Sequence, residues 1–114
     1  MDNTLNILRI NLLLKHINII QNDLKGLTLD DFKKSDLLVR ATCFSLAQIG
    51  EQMNKLQDNY GECYPELPWS EARKMRNIIV HVYNKVDAEQ VYLTATKDLD
   101  ELKSKFEQIK TDIS

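Results

Sequence analysis

One run of residues near the C-terminus limits what this chain can become. Val91, Ala95, Leu99, Leu102, Phe106, Ile109 and Ile113 recur in steps of 4, 4, 3, 4, 3 and 4. Such positions return to one face only in a helix, where side chains three and four apart stack along the axis. A strand would need alternation in steps of two. Asp87 stands just before the run as an N-cap, so the pattern predicts a helix from Ala88 to about Ile113.

The rest of the chain repeats the theme. Ile7, Ile10, Leu14, Ile17 and Leu24 mark a helix over 4–24, with Leu5, Leu8, Leu12 and Ile19 widening the stripe. Asn3 or Thr4 can cap it, and Gly26 ends it. Residues 27–34 form a connector, with room for a short turn started by Thr28 and carrying Asp30 and Asp31. Ser35 and Asp36 cap a long helix to about Gln57, whose apolar side is Leu37, Ala41, Phe44, Ile49, Met53 and Leu56. Gly50 inside it costs about 1 kcal/mol against Ala, which a close helix–helix approach would explain. Residues 58–68 hold Pro65, Pro68 and Gly61 and are the one clear loop. Pro68-Trp69-Ser70 opens a further helix, and residues 84–87 break it. Three Gly and two Pro in 114 residues are too few for a turn-rich sandwich or barrel. The expected architecture is therefore all-α: one domain, 1–114, an up-and-down bundle of four to five helices with short links.

One octet, Arg76-Asn77-Ile78-Ile79-Val80-His81-Val82-Tyr83, stands out from this scaffold. It gathers a guanidinium, an amide, an imidazole and a phenol, the usual kit for handling a phosphodiester. On a helical wheel Met75, Ile78, Ile79, Val82 and Val86 form one stripe, expected to be buried. Arg73, Arg76, Asn77, His81 and Asn84 form a polar stripe elsewhere, so His81 should be displayed rather than packed. Arg76 and Tyr83 would lie nearly in line if the helix persists that far. Glu51, just after Gly50, reads equally as a residue that reaches this helix to orient Arg76 and as a plain surface carboxylate. Elsewhere, His16 reads as a partly buried or surface residue. Trp69 and Tyr64 read as core anchors or loop pins, and Tyr92 as bundle packing.

Charge singles out the same place. The chain carries a net −2, which gives no bulk basic signature. Residues 69–85 nevertheless carry +3, whereas 26–68 and 86–114 each carry −3. A local positive field draws phosphate. Cys43 and Cys63 form no metal-ligand spacing and read as reduced thiols, which predicts a cytoplasmic protein with no metal and no cofactor. Asp2 and the lack of a basic start predict no signal peptide, and Leu12-Leu13-Leu14 is too short to span a bilayer.

Arg76, four residues, His81, one residue and Tyr83 resemble the R-x4-H-x-Y signature of the HepT-like ribonuclease toxins of the HEPN superfamily. Ile49-Gly50-Glu51, Pro68-Trp69 and Tyr83-Asn84-Lys85-Val86-Asp87 agree with that resemblance, which covers essentially the whole chain. It implies a homodimeric helical bundle acting as a metal-independent endoribonuclease on RNA, with the two motifs meeting across a cleft. It assigns Arg76 and His81 as the catalytic pair. It also implies an antitoxin partner, a minimal nucleotidyltransferase of the MntA type, that attaches AMP to Tyr83. On chemical grounds Arg76 would hold the phosphate in a fork and Asn77 would orient the imidazole or touch the phosphate. Two other readings use the same groups: a non-catalytic nucleotide-binding subunit of a nucleotidyltransferase, and a purely structural dimerisation module.

Overall fold

The computed structural model describes residues 2–114 and, among them, contains helices and no strand. The helices are α1 (Thr4–Leu24), α2 (Leu29–Lys34), α3 (Asp36–Tyr60), α4 (Trp69–His81), α5 (Ala88–Leu93) and α6 (Leu99–Ile113). A π-helical turn, Thr94–Asp98, joins α5 to α6 as one rod, and a 3-10 turn, Tyr83–Lys85, follows α4. The expected all-α bundle is therefore what forms. No helix of the described residues is long and apolar enough to cross a membrane.

Cross-helix hydrogen bonds fix the directions. Asn6 donates to Tyr60 and His16 pairs with Ser45, so α1 and α3 run antiparallel. Arg76 meets Glu51 and Arg73 meets Gln57, so α4 also runs against α3. Asn3 donates to the Ile113 carbonyl and Gln21 to Asp100, which sets α1 against α6. The core lies where α1, α3 and the α5–α6 rod converge: Ile10, Leu13, Ile17, Met53, Leu56, Val91, Phe106 and Ile109 are essentially solvent-free.

Several details differ from the sequence reading for identifiable reasons. Asn3 takes the N-cap position of α1 as expected but makes no capping side-chain bond: its amide donates to the Ile113 carbonyl, and the Asp2 carboxylate accepts the Thr4 N–H instead. α3 runs on to Tyr60, because Tyr60 is buried and holds Asn6 and Tyr64. Leu37, Ala41 and Phe44 face solvent, with Leu37 70% and Phe44 60% exposed. α3 is covered by α1 on one flank and α4 on the other, so its buried arc runs through Thr42, Leu46, Ile49, Met53 and Leu56 and leaves that stripe outside. On α1, likewise, Leu5 and Leu8 are exposed while Leu13 and Ile20 fill the core.

The C-terminal rod explains its own periodicity. Two successive steps of four overshoot an ideal 3.6-residue turn. The wider π turn absorbs that excess, so Val91, Ala95 and Leu99 all stay buried at 1%, 3% and 2% exposure. The short turn after Gly26 is α2, closed by a capping box between Thr28 and Asp31. Gly26 takes a φ of +77°, the left-handed conformation that suits glycine after a helix.

The aromatic residues act as expected. Trp69 donates its indole N–H to the Tyr64 carbonyl and meets Phe106 edge-on, anchoring the start of α4 to α6. The Tyr64 hydroxyl donates to Asp112, a hydrogen bond that, with some burial, pushes its pKa up to about 12. Tyr92 packs on Phe32 and donates to the Leu27 carbonyl. His16 is buried to 9% exposure against Ser45 and Phe44.

Candidate active site

The site begins with a missing side chain. A Cβ on Gly50 would lie 2.7 Å from the Arg76 Cβ and 2.8 Å from the Ala72 carbonyl oxygen. Only glycine lets α4 settle this close to α3, and the close approach that position 50 suggested is real. It brings the base of Arg76 down beside the next residue of α3, Glu51.

Glu51 Oε2 accepts from Arg76 Nε at 2.9 Å and stands in ion-pair contact with Arg76 Nη2, also at 2.9 Å. Asn77 Oδ1 accepts from Arg76 Nη1 at 2.8 Å. Side-chain exposures of 29% for Arg76 and 31% for Glu51 leave the pair half-buried. A guanidinium carries five N–H groups in a rigid plane. Two make hydrogen bonds here, so N–H groups on Nη1 and Nη2 remain for an incoming oxyanion. Glu51 thus does what its spacing suggested. Asn77 holds the arginine rather than the imidazole, the first of the two roles expected for it being unmet.

His81 is the last residue of α4 and is exposed, as the wheel implied. It lies five residues beyond Arg76, about 7.5 Å along the helix axis. Its imidazole makes no hydrogen bond within the chain among the described residues, so both ring nitrogens are open to a ligand or a second chain.

Tyr83 is not where an unbroken helix would put it. Val82, at φ −139° and ψ 51°, ends α4, and Tyr83 enters the following 3-10 turn. It leaves the Arg76 line and turns toward the first half of α3. Desolvation raises its phenol pKa, the nearby Cys43 and Asp36 add to this, and Arg40 opposes it. The hydroxyl is therefore protonated at neutral pH. Cys43 itself is buried, and burial pushes its thiol up to about 11, which makes it chemically inert.

The stripe expected to be buried on α4 is largely uncovered. Ile79 alone of it is buried, while Ile78 and Val82 are 41% and 42% exposed. α4 rests on α3 and stands off the α5–α6 rod, leaving a groove of about 480 Å³ lined by Ile49, Met53, Met75, Ile78, Val91 and Leu99. The polar and apolar faces of α4 thus look in different directions, with Arg73, Arg76 and Asn77 on the open side. Among the described residues no three His, Cys, Asp or Glu side chains gather as a metal-binding group.

The bundle thus displays an arginine, held by glutamate and amide, about one and a half turns before a terminal histidine. Comparison with known proteins identifies the family: residues 13–109 match the family described as ribonuclease HepT-like, and the chain belongs to that family. It is 29% identical to a protein of Thermococcus cleftensis named probable ribonuclease HepT, over 82% of this chain and 86% of the relative. It is 33% identical to a candidate RNase of Caldanaerobacter subterraneus subsp. tengcongensis, over 75% of this chain and 76% of that one. A candidate RNase of Methanocaldococcus jannaschii is 32% identical over 89% and 84% of the two chains. No solved structure matches the chain.

Proposed function

We propose that this HepT-like protein is a metal-independent endoribonuclease and the toxin of a toxin–antitoxin pair. The observation that carries the reading is the Glu51–Arg76–Asn77 clamp beside an unengaged His81. Cutting RNA with side chains alone requires a base for the 2′-hydroxyl, an acid for the leaving 5′-oxygen and cationic stabilisation of the charged intermediate. Arg76, pre-oriented by Glu51, supplies the cation. A base removes the 2′-proton, the 2′-oxygen attacks phosphorus, and the P–O5′ bond breaks as an acid protonates the departing oxygen.

Base and acid need two groups, and one chain offers a single His81. A two-fold homodimer would supply the second. Leu37 and Phe44 favour this arrangement: they lie exposed on the stripe of α3 that continues to Glu51. An apolar surface of this kind, continuous with a polar site, is what an isologous interface buries. The two His81 side chains would then face a shared cleft.

Tyr83 is the proposed point of control by a nucleotidyltransferase antitoxin of the MntA type. Its oxygen would bond to the α-phosphorus of ATP with release of pyrophosphate. Since the phenol is protonated at neutral pH, the transferase must provide the base. The added AMP would place negative charge and bulk beside the cleft and repel substrate phosphate.

The test is RNA cleavage by protein produced without the transferase. Wild type should cut, and His81→Ala should lose cleavage while keeping the helical spectrum. Cleavage by His81→Ala at the wild-type rate would refute the assignment, and a wild type that binds RNA without cutting it would favour a non-catalytic binding subunit. Incubation with ATP, Mg²⁺ and the cognate transferase should add one AMP by mass, and the gain should vanish in Tyr83→Phe.

A further inference from the structure

Two arginines lie one turn apart on the open face of α4, and they are treated differently. Arg76 has its charge offset by the Glu51 carboxylate. Arg73, three residues earlier and therefore on the same face, is exposed and leans on the Gln57 side-chain oxygen at 3.4 Å. Gln57 is neutral. The ion pairs of the described residues are Arg40–Asp36, Arg76–Glu51 and Lys105–Glu66, and Arg73 is in none of them.

The physical consequence is a division of labour. A guanidinium held by a carboxylate is rigid but partly neutralised. One held by an amide is steered yet keeps its full charge. The α4 cations outside any ion pair of the described residues are therefore Arg73 and Lys74, and of these Arg73 shares the Arg76 face. The rise of about 4.5 Å over three residues, with the reach of two arginine side chains, lets the two guanidinium groups meet consecutive phosphates of one strand.

We infer that Arg73, steered by Gln57, forms a second phosphate subsite that binds the phosphodiester next to the one held at Arg76. The ligand is a single RNA strand that runs along the α3–α4 seam and carries a phosphate beyond the scissile one. The inference rests on the ribonuclease reading but concerns a separate step, strand binding. Arg73 touches no reacting atom and acts on the choice of longer strands over a lone dinucleotide.

The experiment compares wild type, Arg73→Gln and a remote charge control, Lys103→Gln on α6. Two readouts are taken. The first is binding of an oligoribonucleotide blocked by 2′-O-methyl groups, across a salt series. The second is the ratio of kcat/KM on an unblocked oligonucleotide to that on a dinucleoside monophosphate. Arg73→Gln should flatten the slope of log K against log salt by about 0.7, the share of one contact on a single strand. It should also lower the oligonucleotide preference about tenfold, as expected for one charge-assisted contact. Lys103→Gln should move neither. An unchanged slope and preference in Arg73→Gln overturns the subsite, as does an equal change in Lys103→Gln. Arg73-dependent binding by a protein that cuts no RNA would leave the subsite standing and remove the ribonuclease reading instead.

Discussion

At the scale of single residues, the central object is a carboxylate that works through an arginine. Glu51 holds Arg76 through a hydrogen bond from Nε and an ion-pair contact with Nη2, while Asn77 takes one N–H of Nη1. Glu51→Gln keeps the size of the side chain but replaces a charge-assisted pair with a weaker neutral contact. We expect kcat on RNA to fall about tenfold or more with a smaller change in KM, because orientation matters most in the transition state. Equal kcat in the variant would show that Glu51 only supports the fold. Much at this scale was legible beforehand. The helical wheel separated Arg76, Asn77 and His81 from the apolar stripe, and the spacing placed Glu51 within reach. The roles that depend on side-chain torsions were not legible: Asn77 turns to Arg76, and nothing in its spacing from His81 forbids the other choice.

At the scale of elements, the site exists because α3 and α4 touch through Gly50. Alanine there would raise local helix propensity by about 1 kcal/mol, yet its Cβ would meet backbone and side-chain atoms under 3 Å away. Relieving that overlap by moving α4 costs typically 1–3 kcal/mol and also shifts Arg76 off Glu51. Gly50→Ala should therefore lower the urea midpoint without changing its slope, and lower activity further than stability alone requires. A stabilised, fully active variant would contradict the close-approach account. Helix types and most boundaries followed from periodicity, because long amphipathic runs leave little choice. What periodicity could not supply was direction of burial. Leu37, Ala41 and Phe44 are apolar at helical spacing and still face outward, since α3 is flanked on two sides and a one-sided wheel cannot show which arc its neighbours leave open. The break at Val82 was equally hidden: Val and Tyr carry no strong helix-stop signal, so the in-line placement of Tyr83 with Arg76 failed for a tertiary reason.

At the scale of the whole molecule, the outward apolar stripe and the single His81 of the proposed chemistry both motivate the proposal of a second copy. Leu37 is 70% exposed, so Leu37→Glu should leave the monomer folded while placing a charge in the proposed interface. Light scattering should report a dimer for wild type and a monomer for the variant, with RNA cleavage lost in step. A monomeric wild type with full activity would sink the shared-cleft arrangement. The deepest claim concerns chemistry, that imidazole and guanidinium drive attack by the RNA's own 2′-hydroxyl. Mass spectrometry of the cut ends, from a reaction run in chelator, addresses it most directly. The expected ends are a 2′,3′-cyclic phosphate and a free 5′-hydroxyl; a 5′-phosphate paired with a 3′-hydroxyl would contradict it.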